Sequence, residues 1–256
     1  MKKRTFLTLV VSLLAALAIS PGLRSAQADS SSILSPYWGP TITQWSDIIA
    51  RYAGQRGLDP DLVSAIIYEE SKGLANQISV VGAAGLMQIM PREAGFSWRP
   101  GQAELLIPSV NLFWGTRTFS QIVQQAEGAL HRALAAYNGG WEQVDLRAPR
   151  VFAAKVLDHY ARAIVARSGY DARSMKAWAI VLDVRSSAGL ARTTVIKSDG
   201  AAEVDAAFDL NKLPDSTPHA TAYSAIDSGG VAWLVEAWVV VEPVEGRTIE
   251  LGRGTY

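Results

Sequence analysis

The sequence predicts an α+β protein in which a mainly α-helical domain is followed by a small β-rich C-terminal domain. Two patterns carry that prediction. Apolar residues recur at three- and four-residue spacing from Thr41 to about Ser168, the period of helices that bury one face. After Gly169 the texture changes to β-branched and aromatic runs separated by turn residues. The 49% hydrophobic content of the 256 residues is that of a chain that folds, not one that stays disordered.

Taken in order, the elements begin with an export signal. Lys2, Lys3 and Arg4 precede an apolar stretch from Phe6 to Ile19, and Ala26-Gln27-Ala28 forms a small-residue cleavage site before Asp29. The apolar run is too short, and too soon followed by Pro21 and Gly22, to span a bilayer comfortably. Residues 1–28 therefore read as a signal peptide, with an uncleaved membrane anchor as the alternative. Export would place the chain in the periplasm, the cell wall or the extracellular space. Residues 29–40, bearing serines and prolines, read as a loose leader or linker.

Residues 41–168 form the helical domain. Ile42, Trp45, Ile48, Ile49 and Tyr52 mark its first helix, which Gly57 ends. Asp59-Pro60 opens the next with a capping side chain and a proline at the first helical position. Further helices are expected over Leu86–Ala94, Val110–Gln125, Ala129–Tyr137 and Val151–Ser168. Residues 169–256 form the β-rich domain. Ala177–Arg185, Arg192–Lys197 and Val231–Val241 are its expected strands, with turns at Ser198-Asp199-Gly200 and Asp227-Ser228-Gly229-Gly230. Such strands suit a small sandwich or barrel.

Composition excludes several function classes. The chain has no cysteine, hence no disulfide or thiol chemistry. His131, His159 and His219 lie far apart without metal-ligand spacing, so no metal and no cofactor is expected. Loss of Lys2, Lys3, Arg4 and Arg24 with the signal would leave 20 basic against 24 acidic residues, a mature charge of −4. That balance does not favour nucleic acid as a partner.

One helix locates the chemistry. With Leu62 at zero on a wheel of about 100° per residue, Leu62, Val63, Ile66 and Ile67 centre near about 70°. Glu70 falls at about 80°, near the middle of that apolar face, while Glu69 lies about 90° off it. A carboxyl on the core-facing stripe is costly to ionise, so its pKa rises, as a general acid near neutrality requires. From the wheel alone, a buried structural carboxylate held by an arginine or by amides is the simpler reading.

The residues that follow narrow the choice. Gly82-Ala83-Ala84-Gly85-Leu86-Met87-Gln88-Ile89-Met90-Pro91 comes after Glu70-Ser71 and Ser79. Asn111 and Gly115 form an N-x-x-x-G element, and Leu134-Ala135-Ala136-Tyr137-Asn138-Gly139-Gly140 an A-A-Y-N-x-G element. In this order and spacing, from Thr41 to Arg167, the chain resembles the lytic transglycosylases of the goose-lysozyme-like superfamily. The resemblance implies a lysozyme-like helical fold, peptidoglycan glycan strands as substrate, and Glu70 as the single catalytic acid and base. It also implies a substrate site around Ser71, Ser79, Gly85, Met87, Gln88, Tyr137 and Asn138, with Tyr137 beside the catalytic carboxyl.

Elementary chemistry agrees. Gly82 and Gly85 permit a tight turn, and Gln88 offers donor and acceptor atoms suited to an aminosugar. Met87 and Met90 read as core and cleft filling. Trp45, Trp98, Trp114 and Trp141 could stack on sugars, although packing is the simpler role for each. The reaction that the resemblance implies, closure of the muramic C6 hydroxyl onto C1 to leave a 1,6-anhydro end without water, needs no second carboxylate. A water-using muramidase would need one, with Glu93, Glu104 and Asp145 as candidates. A non-catalytic wall-binding protein on the same fold is the third reading, and it leaves a carboxylate on the apolar face unexplained. Phe152 stands where the resemblance expects a tyrosine, removing one hydroxyl near the cleft. The β-rich domain lies outside the resemblance and could bind wall polymer, dock a protein partner or cap the enzyme.

Overall fold

The computed structural model describes residues 33–169, 179–197, 202–204, 219–227 and 229–240. The expected signal peptide, the start of the leader, the Ser198–Gly200 turn, Ala177, Trp178, Ser228 and Val241 lie outside them. Among the described residues seven α-helices come first: α1 (Pro40–Thr43), α2 (Ser46–Gly54), α3 (Pro60–Ser71), α4 (Gln102–Leu105), α5 (Pro108–Gln125), α6 (Leu130–Gly139) and α7 (Arg147–Arg167). Five described strands follow: β1 (Ala179–Ser186), β2 (Ala191–Lys197), β3 (Ala202–Val204), β4 (His219–Ile226) and β5 (Ala232–Val240).

Helix α3 is the axis of the helical part. Every residue from Asp61 to Ile67 is buried, so α3 is enclosed rather than amphipathic until its last turn. Full burial of Ile66 and Ile67 stabilises the fold by about 2–3 kcal/mol each. As predicted, Asp59 caps the helix, accepting from the Asp61 amide at 2.8 Å, and Pro60 opens it. The far end stops at Lys72, in the left-handed region at φ 54°, and then Gly73. A Cβ on Gly73 would meet the Thr41 carbonyl oxygen at 2.2 Å, so only glycine fits.

A buried polar network anchors the start of α3. Asp61 accepts from the Ser35 amide at 2.9 Å and the Trp38 indole at 2.8 Å, and its other oxygen pairs with Arg167 of α7. Tyr160 donates to Asp59 at 2.7 Å. Burial, with the Asp61 charge beside it, pushes the Asp59 carboxyl above the ordinary range. This network reshapes the expected loose leader: Leu34, Ser35 and Trp38 are buried, and the Ser35 hydroxyl donates to the Ala163 carbonyl.

Two expected helices differ. The first is divided into α1 and α2 at Trp45, whose indole donates to the Gly73 carbonyl at 3.0 Å and anchors the break. The segment Leu86–Ala94 is not a helix. Ala84 forms antiparallel bridges with Ile78 and Ile89, and only Arg92–Ala94 makes a 3-10 turn. Left-handed backbone at Gly85 (φ 79°) and Gln88 (φ 47°), then Pro91, forbids a continuous helix there. The apolar spacing of Leu86, Met87 and Ile89 reflects burial of a compact loop.

The strands form a single antiparallel sheet in the order β3-β2-β1-β5-β4, in place of the expected sandwich or barrel. Ile180 pairs with Val239 and Leu182 with Ala237, and these side chains, with Val184, join the same hydrophobic core as the helices. Packing between the two parts is close. A Cβ on Gly57 would stand 2.9 Å from Trp233, and one on Gly128 would stand 2.6 Å from Leu190. Among the described residues no helix is long and apolar enough to cross a membrane.

Candidate active site

Glu70 sits in the last turn of α3, where the enclosed helix reaches the surface. Its carboxyl accepts no hydrogen bond and makes no ion pair among the described residues. Burial, followed by repulsion from Glu69, pushes it up to about 8. It is therefore protonated at neutral pH, unlike the arginine-held carboxylate that the wheel alone allowed.

Glu69 behaves in the opposite way. Its side chain is only 11% exposed, although the wheel turned it away from the core, because α7 folds His159 over it. Lys72 donates to Glu69 at 2.9 Å, and His159 Nε2 lies 3.2 Å from the same oxygen. Burial pushes Glu69 up, but Lys72, then His159 and Lys155, more than offset it and hold the carboxyl below its ordinary value. His159 is kept largely neutral by burial, against the pull of Glu69. The tautomer with its proton on Nε2 donates to Glu69 while Nδ1 accepts from the Tyr37 hydroxyl at 2.7 Å. Two adjacent carboxyls thus hold different protonation states.

The loop from Ser79 to Pro91 forms the neighbouring wall, and Asn111 of α5 fastens it. The Asn111 amide donates to the Ala84 carbonyl at 2.7 Å and the Leu105 carbonyl at 2.8 Å, and accepts from the Met87 amide at 2.7 Å. A Cβ on Gly85 would meet Asn111 at 2.2 Å, and one on Gly115 would meet the Met87 sulfur at 2.3 Å. Tyr137 of α6 donates to the Met87 carbonyl at 2.7 Å. Burial, then the Glu70 charge, raises the Tyr137 pKa well above its ordinary value, with Arg99 opposing.

The eight residues singled out from sequence separate into two groups. Ser71, Gly85 and Met87 are buried and bind other parts of the chain. Ser71 donates to the Leu86 carbonyl at 2.8 Å, tying the end of α3 to the loop. Glu70, Ser79, Gln88, Tyr137 and Asn138 retain exposed surface. Ser79 accepts from the Ala83 amide, and Gln88 donates to the Gln77 and Gly85 carbonyls. Asn138 opens onto a groove of about 500 Å3 shared with Glu69 and Phe152. Among the tryptophans, Trp45 is packed, whereas Trp98 is 59% exposed and lies 5.7 Å from Trp114, with the Arg99 guanidinium 4.8 Å from its ring.

Sequence reasoning missed His159, Lys72 and Arg99. His159 is 90 residues from Glu69, and no local pattern joins them. Lys72, three residues after Glu69 and capping the end of α3, was findable from charge spacing. The carboxylates weighed as second catalytic groups have other partners in two cases: Glu104 accepts from the Gly101 amide and Glu93 from the Gln102 amide.

Part of the chain is similar to known transglycosylases. Residues 47–153 match the model of the family described as Transglycosylase SLT domain. A transglycosylase of Enterobacteria phage PRD1 is 34% identical over 102 residues, 40% of this chain and 37% of that protein. The endo-type membrane-bound lytic murein transglycosylase A of Klebsiella pneumoniae is also 34% identical, over 34% of this chain and 49% of its own length. The chain thus spans half or less of the relatives it matches. An inactive glutamate-to-glutamine variant of the lytic transglycosylase Slt from Pseudomonas aeruginosa aligns at 27% identity, over 47% of this chain and 24% of that one, with a TM-score of 0.40. The matched segment encloses α3, the asparagine-fastened loop and Tyr137, so over residues 47–153 the helical part is similar to the Transglycosylase SLT domain family.

Proposed function

We propose that the protein is a peptidoglycan lytic transglycosylase that cleaves the β-1,4 bond between N-acetylmuramic acid and N-acetylglucosamine without water. The observation that carries this reading is the Glu70 carboxyl: half-buried at the end of α3, without a partner among the described residues and pushed up to about 8. In the first step Glu70 donates its proton to the bridging oxygen as the muramic C1–O bond breaks. The carboxylate then takes the proton of the C6 hydroxyl while O6 bonds to C1. A 1,6-anhydromuramic end results, and Glu70 regains its starting state. A nucleophile tethered to the substrate has a high effective concentration, so one carboxyl serves both steps.

The neighbouring groups fit that chemistry. Glu69, ionised by Lys72 and His159, opposes a second negative charge beside it and so favours the acid form of Glu70. An inverting hydrolase would need a second carboxylate about 6.5–9.5 Å away, free to activate water. Glu69 is instead engaged by two cation-capable side chains, and Glu93 and Glu104 by backbone amides. Murein as the substrate follows the relatives whose names carry it, and the amino-terminal pattern points to export toward the periplasm or cell wall.

Mass spectrometry of soluble products from purified wall tests the assignment, comparing the chain with its Glu70→Gln variant. The expected products are disaccharide-peptides lighter by one water than hydrolysis products, with at least a thousandfold loss in the variant (on the order of 4 kcal/mol). Water-added, reducing ends would make the protein a muramidase. No products from either protein, with binding to wall retained, would make it a binding protein.

A further inference from the structure

The segment ahead of α1 reaches both ends of α3. At the start of the helix, the Ser35 amide and the Trp38 indole donate to Asp61. At its far end, the Tyr37 hydroxyl meets Nδ1 of His159 at 2.7 Å, and Nε2 of the same ring meets Glu69 at 3.2 Å. Rings box the imidazole in: the centroid of Tyr68 lies 4.5 Å away, that of Tyr37 6.0 Å and that of Trp38 6.4 Å. A phenol donating to Nδ1 obliges the neutral ring to carry its own proton on Nε2, aimed at the Glu69 oxygen. Glu69 in turn is the charge that opposes ionisation of Glu70. Three consecutive interactions thus join the leader to the acid. Fastening the leader does not require the phenol, because buried Leu34, Ser35 and Trp38 already hold it.

We propose that Tyr37 is a positioning residue for the acid: by fixing the His159 tautomer it keeps Glu69 as the negative neighbour of Glu70, an inference that rests on the reading of Glu70 as the acid. Without the phenol hydroxyl, the neutral imidazole is free to carry its proton on Nδ1. The Nε2 lone pair then faces the Glu69 carboxylate, and protonation of either group relieves the repulsion. Both outcomes reduce the net negative charge beside Glu70, and both let it ionise at lower pH. The other charged groups around the pair are unaltered by the change. They are Lys72 at the end of α3, Lys155 and Asp158 of α7, and Arg147 in the groove that Glu69 lines. Tyr137 of α6 faces Glu70, with Arg99 near it.

Carbon-13 NMR titration of the glutamate side-chain carboxyls in the full chain tests the proposal, with the Glu70 signal assigned by its loss in Glu70→Gln. Tyr37→Phe keeps the ring and should enlarge the acid dissociation constant of Glu70 by about threefold or more. His159→Phe acts one link nearer and should move it in the same direction. In a Glu69→Gln background Tyr37→Phe should change nothing further, because the connecting charge is gone. The alkaline limb of kcat/KM should move with the titration, to lower pH in Tyr37→Phe, which a merely structural role would leave in place. A Glu70 titration unmoved by both substitutions, or moved equally with and without Glu69, would overturn the assignment. The titration requires no cleavage, so a chain that released no anhydro products would fail the transglycosylase reading and leave this link measurable.

Discussion

At the scale of the residue, the protein sets two adjacent carboxyls to opposite tasks by their surroundings. Glu70 is desolvated without compensation, and Glu69 is desolvated but compensated by Lys72, His159 and Lys155. If Glu70 works as the acid, activity is present while it is protonated and falls as pH rises through about 8. Removing the Glu69 charge removes one of the two causes that raise Glu70. The pKa of Glu70 then falls, and the alkaline limb of kcat/KM moves to lower pH in Glu69→Gln. A pH-rate series on a soluble glycan checks this, and a limb that stays in place would mean that burial alone sets the acid. The position of Glu70 was legible in the sequence, because a single helix wheel orients it. The state of Glu69 was not, because its histidine partner arrives from a helix 90 residues away.

At the scale of the element, the loop between Ser79 and Pro91 owes its shape to one side chain of α5. Asn111 uses its amide three times, twice donating and once accepting, and is fully buried. Asn111→Ala would strand the Met87 amide and two carbonyls in the interior, where each unsatisfied group costs about 1–3 kcal/mol. We expect a loss of about 3–5 kcal/mol in denaturant unfolding, together with impaired cleavage, because the carbonyl of Met87 positions Tyr137. A variant as stable as wild type would show that the loop is held by its own turns. The sequence motif located this loop, but local periodicity suggested a helix through it. Periodicity registers which residues are buried; it does not register that Gly85 and Gln88 hold left-handed backbone. The same blindness hid the break at Trp45, which depends on an indole reaching the Gly73 carbonyl across the fold.

At the scale of the whole molecule, the change of texture after Gly169 marks a change of architecture without marking a change of core. Strand patterns found β1, β2 and β5, whereas β3 and β4 pass through segments too polar or too short to signal themselves. Nothing local could reveal that one face of the sheet closes the helical core. That closure makes a definite demand on stability. Leu182 is fully buried and belongs to the cluster that includes Ile66 of α3 and Leu157 of α7. Leu182→Ala should therefore cost about 2–5 kcal/mol. If sheet and helices open as one unit, native-state amide exchange will show that cost in α3 as fully as in β1. If the sheet opens alone, β1 amides will lose protection while those of α3 keep theirs. The first outcome would explain why α3 can hold an uncompensated carboxyl at its end: the free energy that tolerates Glu70 is then drawn from the entire core. The second would confine that support to α5, α6 and α7 and leave the sheet to act separately.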